Sequence, residues 1–323
     1  MLHLDQAELD RILSFPELVE SLRNAFAGDW TTPLRHHHGM PGFDNTGAEI
    51  ENALLLMPAW TGPGSDNYIG VKLVAVYPSN GQVGLPSIHG LYYLIDGNTG
   101  QPLATMDGAR MTVWRTAAAS ALASTYLSRP ESSTLTMIGA GALSPFMIRA
   151  HMAVRPIQEV FLWNHNIRRA HELAEQLRSE GLPVTSHPDL VSAVGKSDIV
   201  SAATLTTTPL IFGKWLKPGT HVDTVGAFTP TMRETDDDLV RLASVFCDTR
   251  TGALKEGGDL AIPISQGVIS ASDILADLHD LTRGTHAGRT SAQEITYFKS
   301  VGTALEDLAG AITVWGSPKR ASS

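Results

Sequence analysis

Among 323 residues there is one cysteine, Cys247. That count excludes an intrachain disulfide framework and a thiolate metal cluster. Cys247 closes the apolar run Ala243-Ser-Val-Phe-Cys247, the setting of a buried structural thiol rather than a nucleophile. Basic residues are also scarce: 24 Lys and Arg face 33 Asp and Glu, for a net charge of −9. Without a basic face, neither nucleic acid nor an acidic membrane surface is an expected partner. No apolar run approaches the ~20 residues of a membrane span. The N-terminus, Met1-Leu-His-Leu-Asp-Gln-Ala-Glu, lacks the basic and apolar regions of a signal peptide, so the default expectation is a cytoplasmic protein. The hydrophobic fraction of 43% and the chain length allow two domains with full cores. There is no internal repeat or low-complexity tract.

What is present is organised around Thr134-Leu-Thr-Met-Ile-Gly-Ala-Gly-Ala-Leu-Ser144. Leu135 to Ile138 reads as a buried parallel strand. It breaks at Gly139-Ala140-Gly141 and continues through Ala142 and Leu143 into a segment with helical spacing. Strand, glycine turn and helix make the context in which a G-x-G-x-x-G/A pattern signals a dinucleotide site. Pyrophosphate would sit on the free amides and positive dipole end of the helix. The third position is Ser144, small but not the usual Gly or Ala.

Downstream, strands are expected at 159–163, 184–186, 198–203, 221–225 and 245–248, with helices between them. This alternation predicts an α/β fold with a Rossmann-type doubly wound sheet. Upstream, an amphipathic helix with Leu18, Val19, Leu22, Ala25 and Phe26 on one face precedes strands at 53–57, 70–77 and 90–96. A turn-rich loop is expected over 61–67, and a long Ala- and Ser-rich helix over 111–127. The tail from Thr296 to Ala309 reads as one more helix, folding back onto an N-terminal α+β domain. The expected domains are therefore 1–116 with 298–323, and 117–297.

Three adjacent histidines, 36 to 38, point in different directions along an extended chain and make a poor metal site, so no metal is expected. Lys72 interrupts an apolar strand, either snorkelling at an edge or held in a site. At the end of the second dinucleotide-fold strand stands Asn164, where an Asp or Glu would favour NAD. With His165, Arg168 and Arg169 nearby, the turn suits a 2′-phosphate, so NADPH is the expected cofactor and NADH a possible one. The bland alternative is that these arginines face solvent at a helix start.

Several segments together resemble the ornithine cyclodeaminase/mu-crystallin family. They are Gly70-Val-Lys, Gly84-Leu-Pro-Ser, Asp96-Gly-Asn-Thr-Gly-Gln-Pro-Leu-Ala104, Arg115-Thr-Ala-Ala-Ala-Ser120, Ile138-Gly-Ala-Gly141 and Lys299-Ser-Val-Gly-Thr-Ala304. The resemblance implies a homodimer, an N-terminal substrate and dimerisation domain completed by the C-terminal helix, and a small-molecule substrate with an α-carboxylate beside an imine or amine carbon. It implies that Arg35, Lys72 and Arg115 hold that carboxylate, a task suited to guanidinium forks. Lys72, His89 or a water would supply the proton, with Glu256 orienting one of them. Cofactor contacts would come from Ser87, Arg115, Thr116, Gly139 to Leu143, Asn164, His165, Arg168, Ala203, Thr204, Val225, Gly226, Val301 and Gly302.

Where cyclodeaminases and the family's alanine dehydrogenases carry an Asp, this chain has Phe228, in Val225-Gly-Ala-Phe-Thr-Pro230. Phenylalanine cannot accept a proton. The segment is similar to that of the branch reducing Δ1-pyrroline-2-carboxylate and Δ1-piperideine-2-carboxylate to L-proline and L-pipecolate. The alternatives are an ornithine cyclodeaminase, an alanine-type amino-acid dehydrogenase and, outside enzymes, a mu-crystallin-like NADPH-dependent binder.

Overall fold

The computed structural model describes residues 1–319 apart from Asn45, Pro63 and Ser65. Two residues of the turn expected over 61–67 therefore lie outside the described ones, as do the last four of the 298–323 segment. The chain forms two compact units, Met1–Arg115 with Thr303–Ser323, and Thr116–Gly302.

The first unit opens with β1 (Leu2–Leu4), α1 (Gln6–Ile12) and α2 (Phe15–Ala27). Asp5 caps α1 in a reciprocal box with Glu8. Strands β2 (His36–Phe43), β3 (Glu49–Trp60), β4 (Tyr68–Val76), β5 (Ile88–Asp96) and β6 (Pro102–Asp107) follow. They form one mixed sheet in the order β1-β6-β5-β4-β3-β2, with only β1 pairing parallel. The histidine run lies on the edge strand β2.

Helix α3 (Gly108–Leu127) crosses from the first unit's residues into the second's. The second unit continues with β7 (Thr134–Ile138), α4 (Ser144–Val154), β8 (Glu159–Trp163), α5 (Ile167–Ser179), β9 (Val184–Ser186), α6 (Leu190–Lys196), β10 (Ile199–Ala202) and β11 (His221–Thr224). Then come α7 (Asp237–Leu242), β12 (Ser244–Cys247), α8 (Arg250–Glu256), α9 (Gly258–Ser265), β13 (Ile274–Asp277), α10 (Leu278–Arg283) and β14 (Thr296–Lys299). Helix α11 (Ala304–Gly316) follows and belongs to the first unit.

The second sheet is wholly parallel, in the order β13-β12-β14-β11-β10-β7-β8-β9. The chain leaves β7 in one direction for β8 and β9 and returns on its other side with β10 and β11. This reversal is the switch point at which doubly wound sheets bind ligands. Buried polar links fasten the layers. Asp223 on β11 accepts from Ser120 of α3 (2.8 Å) and Ser201 of β10 (2.9 Å), and lies 3.3 Å from His151 of α4. Cys247 is buried, as its apolar run requires.

One element differs from the sequence reading. Thr296–Lys299 is a strand between β11 and β12, and helix begins only at Ala304, capped by Thr303. Aromatic and β-branched residues buried on both faces suit a central strand, and Gly302 at φ 79° ends it. Residues 298–302 thus fall in the second unit, and the first division comes at Arg115/Thr116.

Candidate functional site

In the first unit, alternation along β4 decides what faces what. Lys72 pairs across β5 with Tyr92 and across β3 with Met57, and all three are buried. Lys72 is 2% exposed. Its Nζ donates to Asp307 Oδ1 at 2.8 Å and Thr112 Oγ1 at 3.1 Å. Arg115 donates from Nε to the same Asp307 oxygen (3.1 Å) and from a terminal nitrogen to Glu306 Oε2 (2.7 Å). Arg35, half-buried before β2, is close enough for its charge to act on Lys72. Burial pulls the Lys72 ammonium down to about 8; Asp307 opposes the shift, and Arg115 and Arg35 add to it. Tyr92 is held well above its usual range by burial, and Asp307 pushes in the same direction.

The structure thus gathers Lys72, Arg115 and Arg35, and supplies two carboxylates that sequence reasoning missed. Glu306 and Asp307 lie in the first turn of an apolar helix, where acids ordinarily complement the helix dipole from solvent. Here both are fully buried. Two adjacent acids in a helix otherwise apolar on every side, Ala304 to Trp315, were the available signal.

His89 is a correction. It pairs with Ala75, three residues from Lys72 along β4, so its side chain takes the opposite face of the sheet and is exposed. It is not brought to Lys72. Glu256 is the half-buried last residue of α8, in the second unit. Ser87 is half-buried before β5, and its carbonyl accepts from Tyr77 N–H at 2.8 Å.

In the second unit, the glycine turn follows β7 at the switch point. Gly139 has φ 108°, and a Cβ there would stand 2.8 Å from the Ala203 carbonyl oxygen. Both facts require glycine. Ser144 explains its departure from the expected pattern. Its buried Oγ donates to Gly139 O (2.8 Å) and accepts from Gly141 N–H (3.2 Å), bracing the turn from inside. A Cβ at Gly141 would enter open space, the approach a pyrophosphate needs. Among the described residues, the turn amides of Ala140, Ala142 and Leu143 meet no protein acceptor, whereas those of Gly139 and Ser144 do. These residues fit a dinucleotide.

The other expected contacts collect at the carboxyl ends of the parallel strands. Ala203 and Thr204 follow β10, Val225 and Gly226 follow β11, and Val301 and Gly302 follow β14. Asp248 Oδ2 accepts from Ser300 Oγ (3.0 Å) and from the amides of Val301 (2.8 Å) and Gly302 (2.7 Å), holding that last loop. Beyond β8, Asn164 donates to Asn166 O (3.1 Å), and His165, Arg168 and Arg169 are exposed. Thr116 is buried in α3. Phe228 lies in the loop after β11 with 38% of its surface exposed. Among the described residues no group of His, Cys, Asp and Glu could hold a metal ion, and no helix is long and apolar enough to cross a membrane.

The chain resembles known proteins over its whole length. It is 38% identical to the Δ1-pyrroline-2-carboxylate reductase of Paracoccus denitrificans over 286 residues, covering 87% of this chain and 89% of that one. The structure of Thermococcus litoralis Δ1-pyrroline-2-carboxylate reductase in complex with NADH and L-proline superposes with a TM-score of 0.89 at 34% identity, covering 100% and 98% of the two chains. An archaeal alanine dehydrogenase dimer with bound NAD gives 0.87 at 29% identity, covering 100% and 97%. A family model, that of the ornithine cyclodeaminase/mu-crystallin family, matches residues 9–321. The chain belongs to the ornithine cyclodeaminase/mu-crystallin family.

Proposed function

We propose that the protein is an NAD(P)H-dependent oxidoreductase acting on C=N bonds, which reduces Δ1-pyrroline-2-carboxylate to L-proline and Δ1-piperideine-2-carboxylate to L-pipecolate. The observation that carries this reading is the cluster of cations around Lys72. Lys72 and Arg115 meet the carboxylates of Asp307 and Glu306, and Arg35 is close enough for its charge to act on Lys72. Guanidinium and ammonium groups gathered in one place are the chemistry that recognises a substrate carboxylate. Bidentate capture by a guanidinium would fix the orientation of the ring.

When bound, the dihydronicotinamide supplies the hydride to the imine carbon. The ring nitrogen must be protonated, and a Lys72 ammonium lowered to about 8 is acidic enough to give up a proton near neutral pH. Asp307 and Thr112 hold that ammonium in place. Phe228 offers an apolar surface and no proton acceptor, which supports imine reduction over cyclodeamination or release of ammonia from a linear amino acid. The identity with named reductases supports the same choice. The complete cation set favours turnover over mere ligand binding.

The turn at Asn164, His165 and Arg168 has no carboxylate to repel a 2′-phosphate, which supports NADPH, with NADH usable. We also place the protein in the cytoplasm, as a homodimer paired through the outer face of the first unit's sheet. There Leu73 and Leu91 face each other across β4 and β5 at 44% and 43% exposure, and the related alanine dehydrogenase is a dimer.

The test is NADPH oxidation followed by absorbance with each cyclic imine, beside parallel assays of ornithine with NAD and of pyruvate with ammonia and NADH. Rapid oxidation with the imines and little in the others is expected. Proline formed from ornithine without imine reduction would overturn the reading.

A further inference from the structure

Lys299 opens the Lys299-Ser-Val-Gly-Thr-Ala304 segment and Glu234 lies four residues beyond Pro230, yet the chemistry above uses neither. Glu234 is fully buried. Its Oε1 accepts from the Thr204 amide (2.7 Å) and hydroxyl (2.8 Å); its Oε2 accepts from the amides of Gly226 (2.8 Å) and Ala227 (3.1 Å). One carboxylate therefore fastens the loop after β10 to the loop after β11. The two backbones press so closely that a Cβ on Gly226 would fall on the backbone of Thr204. Behind Glu234, Lys299 Nζ from β14 lies 2.9 Å from Asp259 Oδ2 and 3.9 Å from Glu234 Oε2. Asp259, in α9, accepts the amides of Glu234 (2.7 Å) and Thr235 (2.9 Å) through its other oxygen. The titratable groups facing Glu234 are thus Lys299 and Tyr297 of β14 and Asp259 of α9.

We propose that Glu234 is a positioning residue: its carboxylate locks the Ala203–Thr204 and Val225–Ala227 loops into one platform for the nicotinamide end of the dinucleotide, anchored by Lys299 and Asp259. The inference rests on the assignment of these loops to the cofactor. Each oxygen receives two donors, so only the ionised group can accept all four. A protonated carboxyl would give up at least one of the four as they stand, and an amide would turn its NH2 against an amide hydrogen. Burial raises Glu234 to about 7, with Lys299 opposing and Asp259 adding. The lock is intact above that pH and loosens as pH falls through it.

The experiment is fluorescence titration of the full-length protein with NADH between pH 6 and 8.5, with ADP-ribose, which lacks the nicotinamide, titrated by calorimetry. Neither ligand carries a 2′-phosphate that would titrate in this range. In the native protein NADH affinity should fall several-fold toward pH 6 while ADP-ribose affinity holds. Glu234→Gln should bind NADH about ten-fold more weakly with no pH slope, and ADP-ribose normally. Retention of native NADH affinity and slope by Glu234→Gln would overturn the proposal. If that variant does not fold, Lys299→Met gives the reading. Loss of the cation should move the pH midpoint upward, and an unmoved midpoint would overturn the proposal. Native protein that binds neither ligand would overturn the cofactor assignment, and this inference with it. Native protein that binds both but turns over no imine would overturn the proposed substrate alone.

Discussion

At the scale of single residues, burial converts ordinary side chains into chemically tuned ones. Lys72 was ambiguous in the sequence because a lysine in an apolar strand either snorkels or is held. Pairing with Asp307 decides for the second. The pH consequence has a definite sign. Lys72 is charged below about 8 and neutral above, and only the charged form attracts a carboxylate or donates a proton. The value of kcat/KM for the imine should therefore fall as pH rises through about 8. Lys72→Met should lower kcat/KM by about 10²-fold or more, within the range for a general acid, and abolish that alkaline limb. NADPH affinity, followed by fluorescence, should stay unchanged. Asp307 and Glu306 escaped the sequence reading because acids in a helix's first turn are ordinarily solvated, and nothing local shows that strands distant in sequence will cover them. The placement of His89 has a related cause: its face depends on the register of β5 against β4, which no local pattern records.

At the scale of elements, the strand–turn–helix around Gly139 was legible because each piece is local: an apolar strand, glycines for the turn, a helix with proline in its first turn. The role of Ser144 exists only in the folded turn, where its hydroxyl braces both Gly139 and Gly141. Gly139→Ala should cost about 1–3 kcal/mol from the backbone conformation alone, with the contact on Ala203 O added to it. A calorimetric Tm lowered by several degrees and NADH affinity at least ten-fold weaker would bear this out; an unchanged Tm would show that the turn relaxes freely. The misassigned β14 shows the limit of periodicity. Thr296-Tyr-Phe-Lys is four residues long and buried on both faces, so no alternation marks it, and a helical pattern runs straight through.

For the molecule as a whole, the same absence of alternation in β4 has a different source. Val71, Leu73 and Ala75 form an apolar outer row opposite Gly70, Lys72 and Val74, so both faces of the strand read as core. In the first unit only the Lys72 face is packed beneath buried helix residues such as Leu305 and Leu308, while Leu73 and Leu91 stand exposed. A second copy of the chain would bury them. Leu73→Glu should convert a dimer to a monomer in light scattering after size exclusion, and a native protein that runs as a monomer would remove the premise. By itself the sequence determined what local chemistry can encode, the glycine turn and the βα alternation, while the choice of positions 35, 72, 115 and 228 came from the family resemblance. Only the tertiary structure decided which charges meet. The partners of Lys72 and Arg115 lie 235 and 191 to 192 residues away, and contacts over such distances arise from strand register and helix packing that no local pattern records.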